Sequence, residues 1–148
     1  MVRIVPSLVT ERTESVKAGI VGAGTFAISE LVFFLAKEIA INTFSAYNLT
    51  PVFLNGELLL QLAIGAVSGF LFGVTYRYII RDDRNFHLND GAVLAFGLVR
   101  GLALVENNLV LSELGYLIFL IVQSIICFAI ARSILDLAIS SKFIKPFV

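Results

Sequence analysis

Two ionisable side chains lie inside stretches too apolar to solvate them. Glu30 falls within AGIVGAGTFAISELVFFLA and Arg100 within GAVLAFGLVRGLALV. Insertion scales charge about 2.5–3.5 kcal/mol for Arg or Asp at the middle of a membrane helix, so each residue calls for a partner of opposite sign. Glu30 precedes Glu38 by eight residues and Arg100 precedes Glu106 by six. At a rise of 1.5 Å per residue, they lie roughly 12 and 9 Å below the same boundary, level to within about one turn. A Glu30/Arg100 contact is therefore expected. It could be a buried ion lock that sets helix register, or a proton or anion relay. A relay needs titratable or hydroxylic groups leading to both surfaces. Thr25, Ser29, Ser68, Gln123 and Ser124 are the few at hand, so the lock is favoured. Gln123 and Ser68 are kept as polar or ligand contacts. Lys37 and Glu38 read as interfacial anchors, since Lys can snorkel to the headgroups.

No other constellation supports catalysis. The segment RDDRNFHLND gathers Asp82, Asp83, His87 and Asp90, but Arg81 and Arg84 stand ready to neutralise the carboxylates. Asn89 and Asp90 also suit the N-cap of a following helix, so no metal site is expected. The single His87 lies in that segment and the single Cys127 deep in an apolar run, which precludes a Cys/His or Ser/His/Asp arrangement and a thiolate metal cluster. The expectation is a non-enzymatic protein with no catalytic residue, no metal and no dedicated cofactor, although a bound lipid or pigment would be compatible.

The elements that must carry these residues follow from composition. The chain has 148 residues, 58% of them hydrophobic and only 15% charged, with a mean hydropathy of +0.93. Soluble domains carry roughly 25% charged residues, so most of this surface is meant for lipid. Equal numbers of basic and acidic residues, eleven each, remove the electrostatic basis for nucleic-acid binding. A hydrocarbon core about 30 Å thick needs about 20 helical residues. Four apolar stretches approach or exceed this, at about residues 16–41, 58–80, 89–105 and 113–139. The reading is one all-α domain over residues 1–148, a polytopic membrane protein with four transmembrane helices arranged as two hairpins.

Basic residues support that count. Arg3, Arg12, Lys17, Arg77, Arg81, Arg84, Arg132, Lys142 and Lys145 fall on one side, while residues 42–57 and 106–113 contain no Lys or Arg. The positive-inside bias then places both termini in the cytoplasm or stroma. The N-terminal stretch lacks the apolar core of a removable signal. The tail SKFIKPFV suits either a frayed end or a segment at headgroup level. Helices in lipid associate through small residues, and Gly65, Gly69 and Gly73 form a doubled GxxxG, echoed by Gly97 and Gly101. The latter pair should leave Arg100 room to reach sideways. Gly19, Ala23, Phe26, Glu30 and Lys37 share one face at helical spacing. In the last span, Tyr116, Gln123, Cys127 and Ile134 share another. The two halves also overlay loosely, Gly19-Ile-Val-Gly-Ala on Gly91-Ala-Val-Leu-Ala, as a duplication or as a by-product of shared topology.

The stretch RDDRNFHLNDGAVLAFGLVRGLALVE, residues 81–106, resembles a family of small integral membrane proteins of cyanobacteria and plastids, in which an Arg-Asp loop precedes an Ala-Phe-Gly-Leu-Val-Arg-Gly helix. The resemblance places Arg100 in the shared segment. It implies a thylakoid, plastid or cyanobacterial plasma membrane and no particular activity. The functional expectation is an accessory or assembly subunit of a membrane complex, or a homo-oligomer, whose glycine grooves pack helices or receive a partner's helix or a pigment. The alternative is a small oligomeric transporter or channel that uses Glu30 and Arg100.

Overall fold

The computed structural model describes residues 8–44, 56–80, 86–108 and 114–145. It is all-helical across them: α1 Leu8–Phe44, α2 Gly56–Ile79, α3 Phe86–Asn108 and α4 Leu114–Ser140. Each helix is long and apolar enough to cross a membrane. The outward surface is aliphatic, with Ile28, Leu60, Val67 and Leu137 among its exposed side chains, as expected where the solvent is hydrocarbon.

The helices outrun the apolar stretches that mark them. α1 begins at Leu8, well before Val16, and α3 begins at Phe86. Asn89 and Asp90 are therefore inside the first turns of α3 and are not its N-caps. The extra turns of α1 continue its inward face into polar residues, Glu11, Glu14 and Ser15, which find partners described below.

α1 packs most extensively on α2, and α3 on α4, with α1 also against α4. Contacting pairs run in opposite chain directions within each couple. Gly22 meets Gly69 and Ala18 meets Gly73; likewise Gly97 meets Ile125 and Gly101 meets Ile121. Both couples are thus antiparallel. Their glycines permit backbone approach that any side chain would block. A Cβ at Gly69 would lie 2.6 Å from the Gly22 carbonyl oxygen, one at Gly73 would strike the Ala18 carbonyl, and one at Gly97 or Gly101 would lie 2.8 Å from the Ile125 or Ile121 Cα. Both grooves are filled from within the chain, so neither is open to a partner's helix. Gly22, on the face opposite Gly69, is a member of this seam that helical spacing alone did not single out. At the glycines of the loose internal echo the two halves differ, since Gly19 is buried against Phe70 while Gly91 faces open space.

The core is an aromatic layer. Phe128 of α4 lies 4.6 Å from Phe26, 5.1 Å from Phe72 and 5.7 Å from Phe96, centroid to centroid. One ring from every helix meets there. The inward face of α4 carries Leu120, Ser124, Cys127, Phe128, Ala131 and Leu135. This corrects the expected stripe: Ile134 is exposed and Gln123 only half-buried, because Phe128 needs the bundle centre and rotates its flanking turns accordingly.

In the described part of the tail, residues 141–145, the chain turns back on the end of α4 and is not frayed. Phe143 N–H donates to the Ala138 carbonyl and Lys142 N–H to the Ile139 carbonyl, both at 3.0 Å, the pattern of a Schellman cap. Lys142 takes the left-handed position at φ 61°. The reversal buries Ile144 completely.

Candidate functional site

Glu30 and Arg100 come together. Arg100 Nη2 donates to Glu30 Oε1 at 2.5 Å, and both side chains are over nine-tenths buried. The α1 and α3 backbones make no contact among the described residues, so it is side chains that join these helices. Room for the pair comes from α2 and not from α3. A Cβ at Gly65 would strike Glu30 Oε2 and lie 3.2 Å from Arg100 Nη2. Gly97 and Gly101, expected to clear space for Arg100, instead seat α4. Phe26 lies under the guanidinium, 5.0 Å from ring centroid to Cζ, a cation–π contact strengthened by the dry surroundings.

A third member had no strong signal in the sequence. Gln61 Nε2 donates to Glu30 Oε1 at 3.1 Å. It precedes Gly65 by one turn, so the row Gln61, Gly65, Gly69, Gly73 is one face of α2. Both donors thus converge on Oε1, and Oε2 is buried with no partner. The hydroxyls nearby are committed to their own helices: Thr25 donates to the Val21 carbonyl, Ser29 to Thr25 and Ser68 to Ile64, each at 2.8 Å. Ser124 Oγ is buried and unpartnered.

Arg100 also forms part of the floor of a cleft of about 460 Å³ between α2 and α3, with Ile64, Leu71, Phe96, Val99 and Phe128 around it. Ser68 lines it too, while Gln123 does not. The cleft opens sideways, since Ile64, Leu71 and Val99 are all largely exposed.

A second polar cluster closes the end where α1 starts and α4 finishes. Arg77 is fully buried. Its guanidinium donates to Glu11 Oε2 at 2.5 Å, Ser15 Oγ at 2.7 Å, the Glu11 carbonyl at 3.1 Å and the Lys145 carbonyl at 2.9 Å. Glu14 accepts from the Lys145 amide at 3.0 Å and from Lys17 at 2.8 Å. Alongside, Tyr76 donates to Asp136 at 2.8 Å, and Arg132 pairs with Asp90. Sequence reasoning took Arg77 for an ordinary basic flank. Its partners were foreshadowed by the periodicity of Glu11, Ser15, Ala18 and Gly22, which continues the buried face outward. At the opposite end, Lys37 donates to the Tyr116 hydroxyl at 3.1 Å and lies 4.8 Å from its ring centroid.

No group of three His, Cys, Asp or Glu able to hold a metal occurs among the described residues. His87 is exposed. Arg3, Arg81, Asp82, Asp83 and Arg84 lie outside those residues.

Fold and polar layout together define a small integral membrane protein, a four-helix bundle with Arg77 and Arg100 buried in ion pairs. Comparison with family models, curated proteins and solved structures finds no match.

Proposed function

We propose that this protein is a non-enzymatic accessory or assembly subunit of a larger membrane complex. The observation that carries this reading is the aromatic layer. Phe26, Phe72, Phe96 and Phe128 pack against one another between the Glu30/Arg100/Gln61 cluster and the Arg77 cluster, so among the described residues an apolar layer separates the two. A pore or carrier needs a continuous polar path. A rigid apolar exterior instead suits lateral packing in the bilayer. By resemblance of residues 81–106, the setting is a thylakoid, plastid or cyanobacterial plasma membrane, with both termini on the cytoplasmic or stromal side.

Mild solubilisation of native membranes followed by affinity purification tests the proposal. A defined larger complex should accompany the chain. Consistent recovery of the bare chain refutes it, and ion flux into proteoliposomes that vanishes in Glu30→Gln would establish the transporter reading in its place.

A further inference from the structure

Arg100 can make five N–H hydrogen bonds. Among the described residues its hydrogen-bonding partner is Glu30, through Nη2. None of its nitrogens is sealed off without a partner, for the buried orphans are Glu30 Oε2 and Ser124 Oγ. The remaining nitrogens keep a trace of accessible surface, and Arg100 is among the residues that line the cleft. In water such donors would be solvated. In hydrocarbon each calls for an acceptor, because an unmade hydrogen bond there costs several kcal/mol.

The chemistry of the acceptor follows from the surroundings. Glu30 already balances the guanidinium charge, and its unpartnered oxygen would repel a second anion, so the site suits a neutral acceptor. Arg100 precedes Glu106 by six residues, which puts its Cα about 9 Å inside the boundary. Glycerolipid ester carbonyls lie at the headgroup level, short of that depth. A carbonyl able to reach Arg100 must belong to a head that itself enters the hydrocarbon. Phe96 and Phe128 offer flat aromatic surface at the same place, and about 460 Å³ is within the usual range for small-molecule sites, about 300–1,000 Å³. We infer that the α2/α3 cleft binds a neutral, tailed lipophile whose head is a flat carbonyl-bearing ring of quinone type, the carbonyl oxygen accepting from Arg100 and the tail leaving sideways between Ile64 and Val99. This site goes beyond the accessory role and stands or falls without it.

The test uses the full chain in phosphatidylcholine nanodiscs and decyl-benzoquinone as probe, with empty nanodiscs as the partition control. Binding should saturate at one probe per chain. Decylbenzene, which lacks the carbonyl, should bind at least tenfold more weakly, and so should decanoate, which is charged. The bound probe's carbonyl stretch should move to lower frequency in the infrared. Ala103→Phe should block the cleft without touching the ion pair and weaken binding at least tenfold; should that variant misfold, Ala95→Phe serves the same purpose. Uptake no greater than in empty nanodiscs, equal binding of decylbenzene, tighter binding of decanoate, or unchanged binding in a folded blocking variant would each overturn the inference.

Discussion

Glu30 and Arg100 form the ion pair that links α1 to α3, and this fixes how the pair should respond to mutation. Removing either partner leaves an uncompensated charge in a dry interior, at a cost of about 3–5 kcal/mol. In Glu30→Ala, Arg100 keeps only Phe26 beneath it; in Arg100→Ala, Glu30 keeps only Gln61. Replacing both removes the charges together and should recover part of the loss, with a coupling of about 1–3 kcal/mol in a double-mutant cycle read by reversible unfolding in detergent. Strict additivity would mean that the contact carries no energy. The pair was legible because charge in an apolar run is conspicuous. Gln61 was not, since a neutral amide there raises no comparable alarm, and Arg77 was hidden by its position, where basic residues commonly flank a span.

At the scale of elements, the glycine rows distinguish close backbone packing from mere small size. Gly69→Leu should collapse the α1/α2 seam and prevent folding, whereas Gly24→Leu, at a glycine with nothing nearby, should leave the thermal midpoint essentially unchanged. Spacing alone identified the rows in α2 and α3, but it could not say which neighbour fills them; α1 fills one and α4 the other. Helix ends were less legible than helix cores, because polar turns such as Thr10 to Ser15 look like loop when judged by hydropathy. Each antiparallel couple is latched at the same end by an acid on its first helix and an arginine on its second: Glu11 with Arg77, and Asp90 with Arg132. The cap of α4 offers a milder test. Lys142 holds a left-handed conformation that costs an L-residue about 1–2 kcal/mol, so Lys142→Gly should raise stability by about 1 kcal/mol or somewhat less, measured by the shift of the unfolding midpoint.

For the molecule as a whole, the start of α1 and the end of α4 lie at the same end of the bundle, joined through Arg77 and Glu14. Cysteines introduced at Thr10 and Ser141, in a Cys127→Ala background, should react with an impermeant maleimide from the same side of sealed vesicles; labelling from opposite sides would break the topology. Fold class was readable from composition and charge distribution alone, since the length of an apolar run is dictated by bilayer thickness. The α2/α3 cleft was not, because it arises from how two couples meet and no local pattern records that. The buried Arg77 binds these scales in time as well as in space. It takes one acceptor from Lys145, 68 residues further along. During synthesis the first two helices can pair in the bilayer but stay incompletely latched until that residue has left the ribosome. Until then Arg77 keeps Glu11 and Ser15 but lacks the one acceptor that ties the end of α4 to the first couple.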